Sequence, residues 1–350
     1  MNTPKSIIPN GALTALVTPL LPNGEIYWGG LEKLVAFQAS QGISGIVPVG
    51  TTGESSTLAE HEHNAVIRQT LKLGLGKLLV MPGCGSNNTK EAMHYVQVAA
   101  KNGAKAVLLV DCYYNGPSSL ELRNEYYGPI AKAFPDVAIV PYIIPGRTGC
   151  ALWPQDLAEL NREFPNVCAV KEATGDLARM SHTRFLTSPE FQIFSGDDDK
   201  TLEMMCSNQI RACGVISVVS NIAPAAVQVM CTAALRGDFN SAVAMYEKLA
   251  PLFNIVTVLA DRKVGNSSAV TDKFRNPLPI KTAMNALGMP AGPCRQPLGK
   301  MTPAGAQKVR EALTEVWRKS PEVLLPIQGF FDVNIEQRLS DETLWRVLCY

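Results

Sequence analysis

Lys171 closes a run of strand-forming apolar residues, Val167 to Val170, and Glu172, Thr174, Gly175 and Asp176 follow at once. An ammonium at the inner end of a buried strand is partly desolvated. That disfavours its charged form and draws a reference pKa of about 10.4 toward neutrality. A neutral amine attacks carbonyls. With a 2-oxo acid it forms a Schiff base whose enamine is a carbon nucleophile, so one lysine can serve aldol-type chemistry without a metal. Position alone leaves a second reading open, a strand-end lysine that snorkels to solvent or pairs with Glu172.

Imine chemistry also needs a proton shuttle and a seat for a carboxylate. Tyr113, Tyr114 and Tyr142 stand at the ends of two other apolar runs, and Thr51 and Thr52 lie in the glycine-flanked loop "GTTGES". Hydroxyls and backbone N–H groups of such a loop can hold an anion. Arg147 follows Pro145-Gly146, where its fork is free for bidentate carboxylate binding. The plainer alternatives are packing for the tyrosines, a tight turn into a helix for the loop and a surface role for the arginine. "TLAE", Thr57 to Glu60, reads as a capping box opening the next helix.

The elements that must position these residues are legible as apolar runs: "LTALVTP", "SGIVPVG", "LLVMPG", "KAVLLVD", "VAIVPYI", "VCAVK", "FQIFSG" and "CGVISVVS". Each is followed by a segment of helical period, such as Leu31 to Gln41 and Glu91 to Lys101. Eight strand-helix units recurring about every thirty residues predict an α/β fold, a (β/α)8 TIM barrel, rather than a doubly wound sheet. The barrel spans 1–221, with its last helix running to about 236. Strands then stop. A C-terminal helical subdomain occupies 237–350, with a polar insertion near 261–274 expected as a loop and an additional tail at 320–350. Active sites of such barrels sit at the C-terminal ends of the strands, where "GTTGES", "GCGSNN", "CYYN", "YIIPGRT", Lys171 and "SGDDD" all fall.

Composition narrows the partners. The 350 residues include 32 basic and 31 acidic side chains, a net charge of +1, so no overall field draws the chain to nucleic acid or an anionic membrane. A small-molecule partner and a soluble cytoplasmic protein are expected, since no signal peptide or membrane span is apparent. Nine scattered cysteines encode neither a disulfide framework nor a zinc site. Metal-dependent aldol chemistry fits poorly. His61, His63, His94 and His182 share no ligand spacing, and Asp197 to Asp199 read as caps of a helix N-terminus. "GCGSNN" is half a dinucleotide fingerprint and lacks its third glycine.

Taken together and in order, "GTTGES", "YYN", "Y-x-x-P-x-R-T-G", "VKEATGD", "SGDD" and "GVIS" resemble the dihydrodipicolinate synthase and N-acetylneuraminate lyase family. The resemblance runs from about Gly11 to Gln307, and the paired threonines with the arginine favour the synthase branch over sugar-acid lyases. It implies condensation of pyruvate with L-aspartate 4-semialdehyde in lysine biosynthesis, with no cofactor and no metal. It further implies that Lys171 forms the imine while Thr51, Tyr114 and Tyr142 form a proton relay. Thr52 would hold the pyruvate carboxylate, Arg147 the semialdehyde carboxylate, and the Ile216 backbone carbonyl would line the pyruvate pocket, with Gly196 also at the substrate site. The tyrosine matched by Tyr114 reaches into a neighbouring copy, implying a homodimer or homotetramer. A site for L-lysine as inhibitor maps onto Ser55, Ser56, His63, Asn87, Glu91 and Tyr113. Ile143 replaces the family's usual asparagine, Glu60 stands where inhibited relatives often carry histidine or a larger ring, and the insertion and tail have no recognised counterpart. A Schiff-base lyase for a sugar acid or hydroxy-oxoglutarate is the alternative reading. A non-catalytic regulatory relative is another, opposed by the intact lysine, relay and arginine.

Overall fold

In the computed structural model, which describes residues 7–265 and 268–350, the apolar runs become eight parallel strands. They are β1 (Gly11–Ala15), β2 (Gly45–Val47), β3 (Leu79–Val80), β4 (Ala106–Val110), β5 (Ala138–Ile143), β6 (Ala169–Glu172), β7 (Gln192–Ser195) and β8 (Gly214–Ser217). Their order is β3-β2-β1-β8-β7-β6-β5-β4. The remaining seam is closed just beyond β3. Gly83 bridges Leu108, the Cys84 N–H donates to the Leu108 carbonyl at 2.8 Å, and the Leu108 N–H donates to the Pro82 carbonyl at 2.9 Å. The two glycines of "GCGSNN" serve this closure: a Cβ on Gly83 would meet the Val49 carbonyl oxygen at 2.6 Å, and one on Gly85 the Val110 nitrogen at 2.4 Å.

Parallel barrel strands are buried on both faces, which is why they read as unbroken apolar runs. Successive side chains still point to opposite faces. Along β5, Ala138, Val140 and Tyr142 enter the barrel interior while Ile139 and Ile143 pack against the surrounding helices. Along β6, Ala169 points inward and Val170 outward, so Lys171 points inward and Glu172 outward. The ladder places Tyr142 directly beside Lys171. Thus the local period and the register bring this pair together at the C-terminal mouth.

Helices Trp28–Ser40, Glu60–Gly74 and Thr89–Lys101 alternate with the first strands, and Pro224–Leu235 follows the last. The start of the second departs from expectation. Its first turn is held by the Glu62 carboxylate accepting from the Ala59 N–H at 2.9 Å, while the Thr57 hydroxyl donates to the Glu54 carbonyl instead. "TLAE" is therefore not the capping box.

Strands do not stop after the barrel. The segment expected as a polar loop is an antiparallel hairpin, β9 (Thr257–Val264) and β10 (Ser268–Arg275), paired from Thr257 with Arg275 to Val264 with Ser268. Only Val258 and Ala260 of β9 are buried. Beyond that buried base the β9 residues Asp261 to Val264 are all exposed, so the far half of the ribbon has no apolar alternation to reveal it. The Arg262–Asp272 ion pair and a Thr271–Asp261 hydrogen bond cross it instead. Beyond it, helix Leu278–Ala286 packs on the turn that follows β8, and helix Pro303–Lys319 packs on that helix, on Phe239–Phe253 and on the hairpin. The tail folds back over them, with Arg338 donating to the Ala286 and Asn285 carbonyls at 2.7 and 2.9 Å. No helix among the described residues is long and apolar enough to cross a membrane.

Candidate active site

Lys171 is only 5% exposed, and its Nζ lies 4.0 Å from the centroid of the Tyr142 ring. Burial lowers its pKa to about 8 and Arg147 pushes the same way, against the opposing pull of Asp197 and Asp198. Glu172 is not its partner. That carboxylate lies on the other face of the strand, 3.2 Å from Arg179 Nε and 3.1 Å from the Thr174 hydroxyl. Gly196 answers to the lysine's stem: a Cβ there would sit 3.0 Å from Lys171 Cε and 2.6 Å from Ala173 Cβ. Ile216, fully buried in β8, completes the floor of the interior.

Tyr142 is buried and hydrogen-bonded to Thr51, with burial pushing its pKa up to about 12, so it stays protonated and able to donate. Thr52 is also buried, and its hydroxyl oxygen accepts from Asn276 Nδ2 at 2.8 Å. Spending the oxygen as acceptor leaves that hydroxyl's proton free for an anion. Arg147 donates through Nη2 to the Asn276 carbonyl at 2.8 Å. Its residue surface is exposed, while the crowding of its guanidinium and, less strongly, Arg275 push its pKa down; it remains a cation.

Tyr114 is not brought to this group. It is 90% exposed, with φ at 83°, and its N–H donates to the Thr148 carbonyl at 3.3 Å. Left-handed backbone is costly for a residue with a Cβ, so the chain holds this side chain outward at some expense.

The aspartates after β7 do not cap their own helix. Asp198 is buried and accepts from the Ser217 hydroxyl and from the Val218 and Val219 N–H groups at 2.9 and 3.4 Å, locking the end of β8. Asp197 has its pKa raised to about 6, chiefly by burial and then by Asp199, with Lys171 opposing.

A second cluster forms beside the barrel. His63 stacks on Tyr95 with ring centroids 4.0 Å apart, and burial lowers its pKa to about 4. The Glu91 carboxylate accepts from the Ser86 hydroxyl and, at 3.1 Å, from the Tyr95 hydroxyl. Tyr113 bonds to Ser86 and to the Asn87 backbone. Ser55 and Ser56 sit in a short 3-10 turn, Ser55–Thr57. His94 also approaches Tyr95, so two of the four histidines do come together. Among the described residues no three or more His, Cys, Asp or Glu side chains are grouped to hold a metal ion.

Two supports escaped the sequence reading. Asn276 joins Arg147 to Thr52, and Glu54 of "GTTGES" forms a buried pair with Lys281 at 2.7 Å while accepting from the Arg295 N–H at 2.8 Å. The signal for the latter was a lysine inside the apolar run "PLPIKTAM". Buried lysines need partners.

The sequence model of the dihydrodipicolinate synthetase family matches residues 8–316. The 4-hydroxy-tetrahydrodipicolinate synthase of Alcanivorax borkumensis is 38% identical over 305 residues, covering 87% of this chain and 97% of that protein. Dihydrodipicolinate synthase from Acinetobacter baumannii, solved in complex with pyruvate, superposes with a TM-score of 0.78 at 35% identity over 88% of this chain and 98% of its own. The enzyme from Cyanidioschyzon merolae with lysine bound gives a TM-score of 0.80 at 33% identity, over 89% and 99%. With its barrel, its interior lysine and a match over most of its length, the chain belongs to the dihydrodipicolinate synthetase family.

Proposed function

We propose that this chain is a Schiff-base synthase that condenses pyruvate with L-aspartate 4-semialdehyde to 4-hydroxy-tetrahydrodipicolinate, a step of lysine biosynthesis. The observation that carries the reading is the buried Lys171 with its lowered pKa, packed against a Tyr142 that is hydrogen-bonded to Thr51. The neutral amine attacks the pyruvate ketone, and loss of water gives the imine. Tyr142 and Thr51 carry the protons of that dehydration. Removal of a methyl proton gives the enamine, whose carbon attacks the aldehyde. The substrate's own amino group then attacks the imine carbon, closing the ring and releasing Lys171. Thr52 holds the pyruvate carboxylate, Arg147 that of the semialdehyde, and Gly196 and Ile216 shape the pocket.

The exposed, strained Tyr114 supports a homodimer or homotetramer in which it enters the relay of a second copy. The cluster of His63, Glu91, Asn87 and Tyr113, with Ser55 and Ser56 nearby in sequence, is the place for L-lysine as inhibitor; a lysine-bound relative supports this. The partners are small molecules, and the compartment we assign is the cytoplasm. Borohydride trapping with pyruvate, followed by peptide mass mapping, should label Lys171. A coupled assay with both substrates, run beside sialic acid cleavage, separates the synthase from a sugar-acid lyase. Label elsewhere, or cleavage without condensation, would overturn the proposal.

A further inference from the structure

The hairpin and the loop after β5 exchange arginines. Arg147 of the loop donates to the carbonyl of Asn276 at 2.8 Å, and Arg275, the last residue of β10, donates through Nη1 to the carbonyl of Gly146 at 3.0 Å. Each arginine thus grips the residue adjoining the other. The consequence is two guanidiniums side by side, close enough that Arg275 pushes the pKa of Arg147 down. Neither makes an ion pair among the described residues, since the hairpin's own acids are engaged: Asp272 with Arg262, and Asp261 with Thr271. Nor is the hairpin base remote from the chemistry. Thr257, the cross-strand partner of Arg275, lines a cleft of about 280 Å³ together with Gly196, Asp197 and Asp199.

Like charges held together repel, and the arrangement becomes favourable when an anion is shared between them. We propose that Arg275 is a specificity-determining residue that, with Arg147, receives the carboxylate of the second substrate; this rests on the synthase reading given above. One Nη1 proton of Arg275 is committed to Gly146, and the rest of its fork is exposed and available. The guanidinium therefore brings charge-assisted hydrogen bonds to an anion that Arg147 alone would hold with fewer donors. The pyruvate carboxylate is assigned to Thr52, which Asn276 contacts through its side-chain amide, whereas Arg275 is bonded to the Gly146 carbonyl next to Arg147.

The test uses Arg275→Gln, which keeps a donor for the Gly146 carbonyl and removes the charge, together with Arg275→Lys and Arg275→Glu. Steady-state kinetics with both substrates should show the KM for the semialdehyde rising roughly tenfold in R275Q, the scale of one charge-assisted hydrogen bond. R275K should recover part of it and R275E should be worse than R275Q. The pyruvate KM and the rate of borohydride trapping should stay within about twofold of wild type, because imine formation precedes use of this group. Added salt should raise the semialdehyde KM more steeply in wild type than in R275Q. A wild type that condenses the semialdehyde beside an R275Q indistinguishable from it overturns the assignment alone. Equal losses for both substrates, not rescued by R275K, also overturn it, making Arg275 a structural clasp. A wild type that uses no semialdehyde at all overturns the function and this assignment with it.

Discussion

Lys171 Nζ stands 4.0 Å from the centre of the Tyr142 ring, on the neighbouring strand and in register with it. A ring face favours the charged ammonium. Desolvation works against it and prevails, leaving the lysine's pKa at about 8. The rate of imine formation with pyruvate should therefore rise with pH through about 8 and level off above it, as read by borohydride trapping at short times. A rate flat from pH 6 to pH 10 would contradict a lysine held in this state.

The same shift has a stability consequence. The folded pKa lies below the unfolded value of about 10.4, so between the two the unfolded chain binds more protons and stability rises with pH. Below about pH 8 the full cost of burying the ammonium is present. Lys171→Met should abolish trapping and raise the Tm at pH 7 by roughly 2–4 °C, with the gain shrinking toward pH 10. Calorimetry at the two pH values checks the sign.

Asn276 governs how Thr52 uses its proton. Because the amide Nδ2 donates to the threonine oxygen, the hydroxyl is left to donate to a carboxylate. Asn276→Asp reverses this, since an acid can only accept there and would draw the threonine proton to itself. The pyruvate KM should rise about tenfold or more in N276D and less in N276A, where Thr52 is freed rather than diverted. Steady-state kinetics giving the opposite order would overturn the assigned direction of the bond.

How much of this was legible depends on burial. The eight strands could be read because both of their faces are covered, and Lys171 because it interrupts one of those apolar runs. The sequence put Lys171 and Tyr142 only at the ends of separate runs; their pairing inside the barrel depends on the register between β5 and β6, which the fold sets. Asn276 could not be found, because its partner Thr52 is 224 residues away and the hairpin that delivers it buries only Val258 and Ala260 of its first strand, too short an apolar alternation to mark it. Glu54 was hidden for a different reason. Its φ of 58° and its burial are properties of the folded loop, and its counter-ion comes from a helix distant in sequence.

That buried pair gives a stability test separate from catalysis. Lys281 Nζ reaches Glu54 Oε1 at 2.7 Å and the Thr18 and Pro293 carbonyls at 3.1 and 2.6 Å, with both side chains almost wholly buried. Lys281→Met strands a carboxylate in the interior and should cost about 3–5 kcal/mol in chemical denaturation. Adding Glu54→Gln should return a large part of the loss. A double variant as unstable as the single one would show that the cost lies in packing and not in the uncompensated charge.

The last prediction concerns L-lysine. Glu91 is fixed by the Ser86 and Tyr95 hydroxyls, so its carboxylate is presented in one orientation, as an α-ammonium requires. His63 is held neutral by burial at ordinary pH despite a hydrogen bond to the Gly83 backbone, and its Nδ1 has no hydrogen-bond partner among the described residues. Tyr113, bonded to Ser86 and the Asn87 backbone, directly precedes Tyr114, so occupancy of the cluster can be felt at the relay without any competition at Lys171. L-lysine at millimolar concentration should lower kcat while leaving the pyruvate KM within about twofold, and Glu91→Ala should abolish the inhibition while retaining condensation. Glu60 sets the limit on this expectation. It pairs with His94 at 3.2 Å and offers no ring to stack on the inhibitor's aliphatic chain, so inhibition should be weak and should strengthen in Glu60→His. Titration calorimetry with no binding heat in the wild type, together with unchanged turnover, would remove the cluster from regulation altogether.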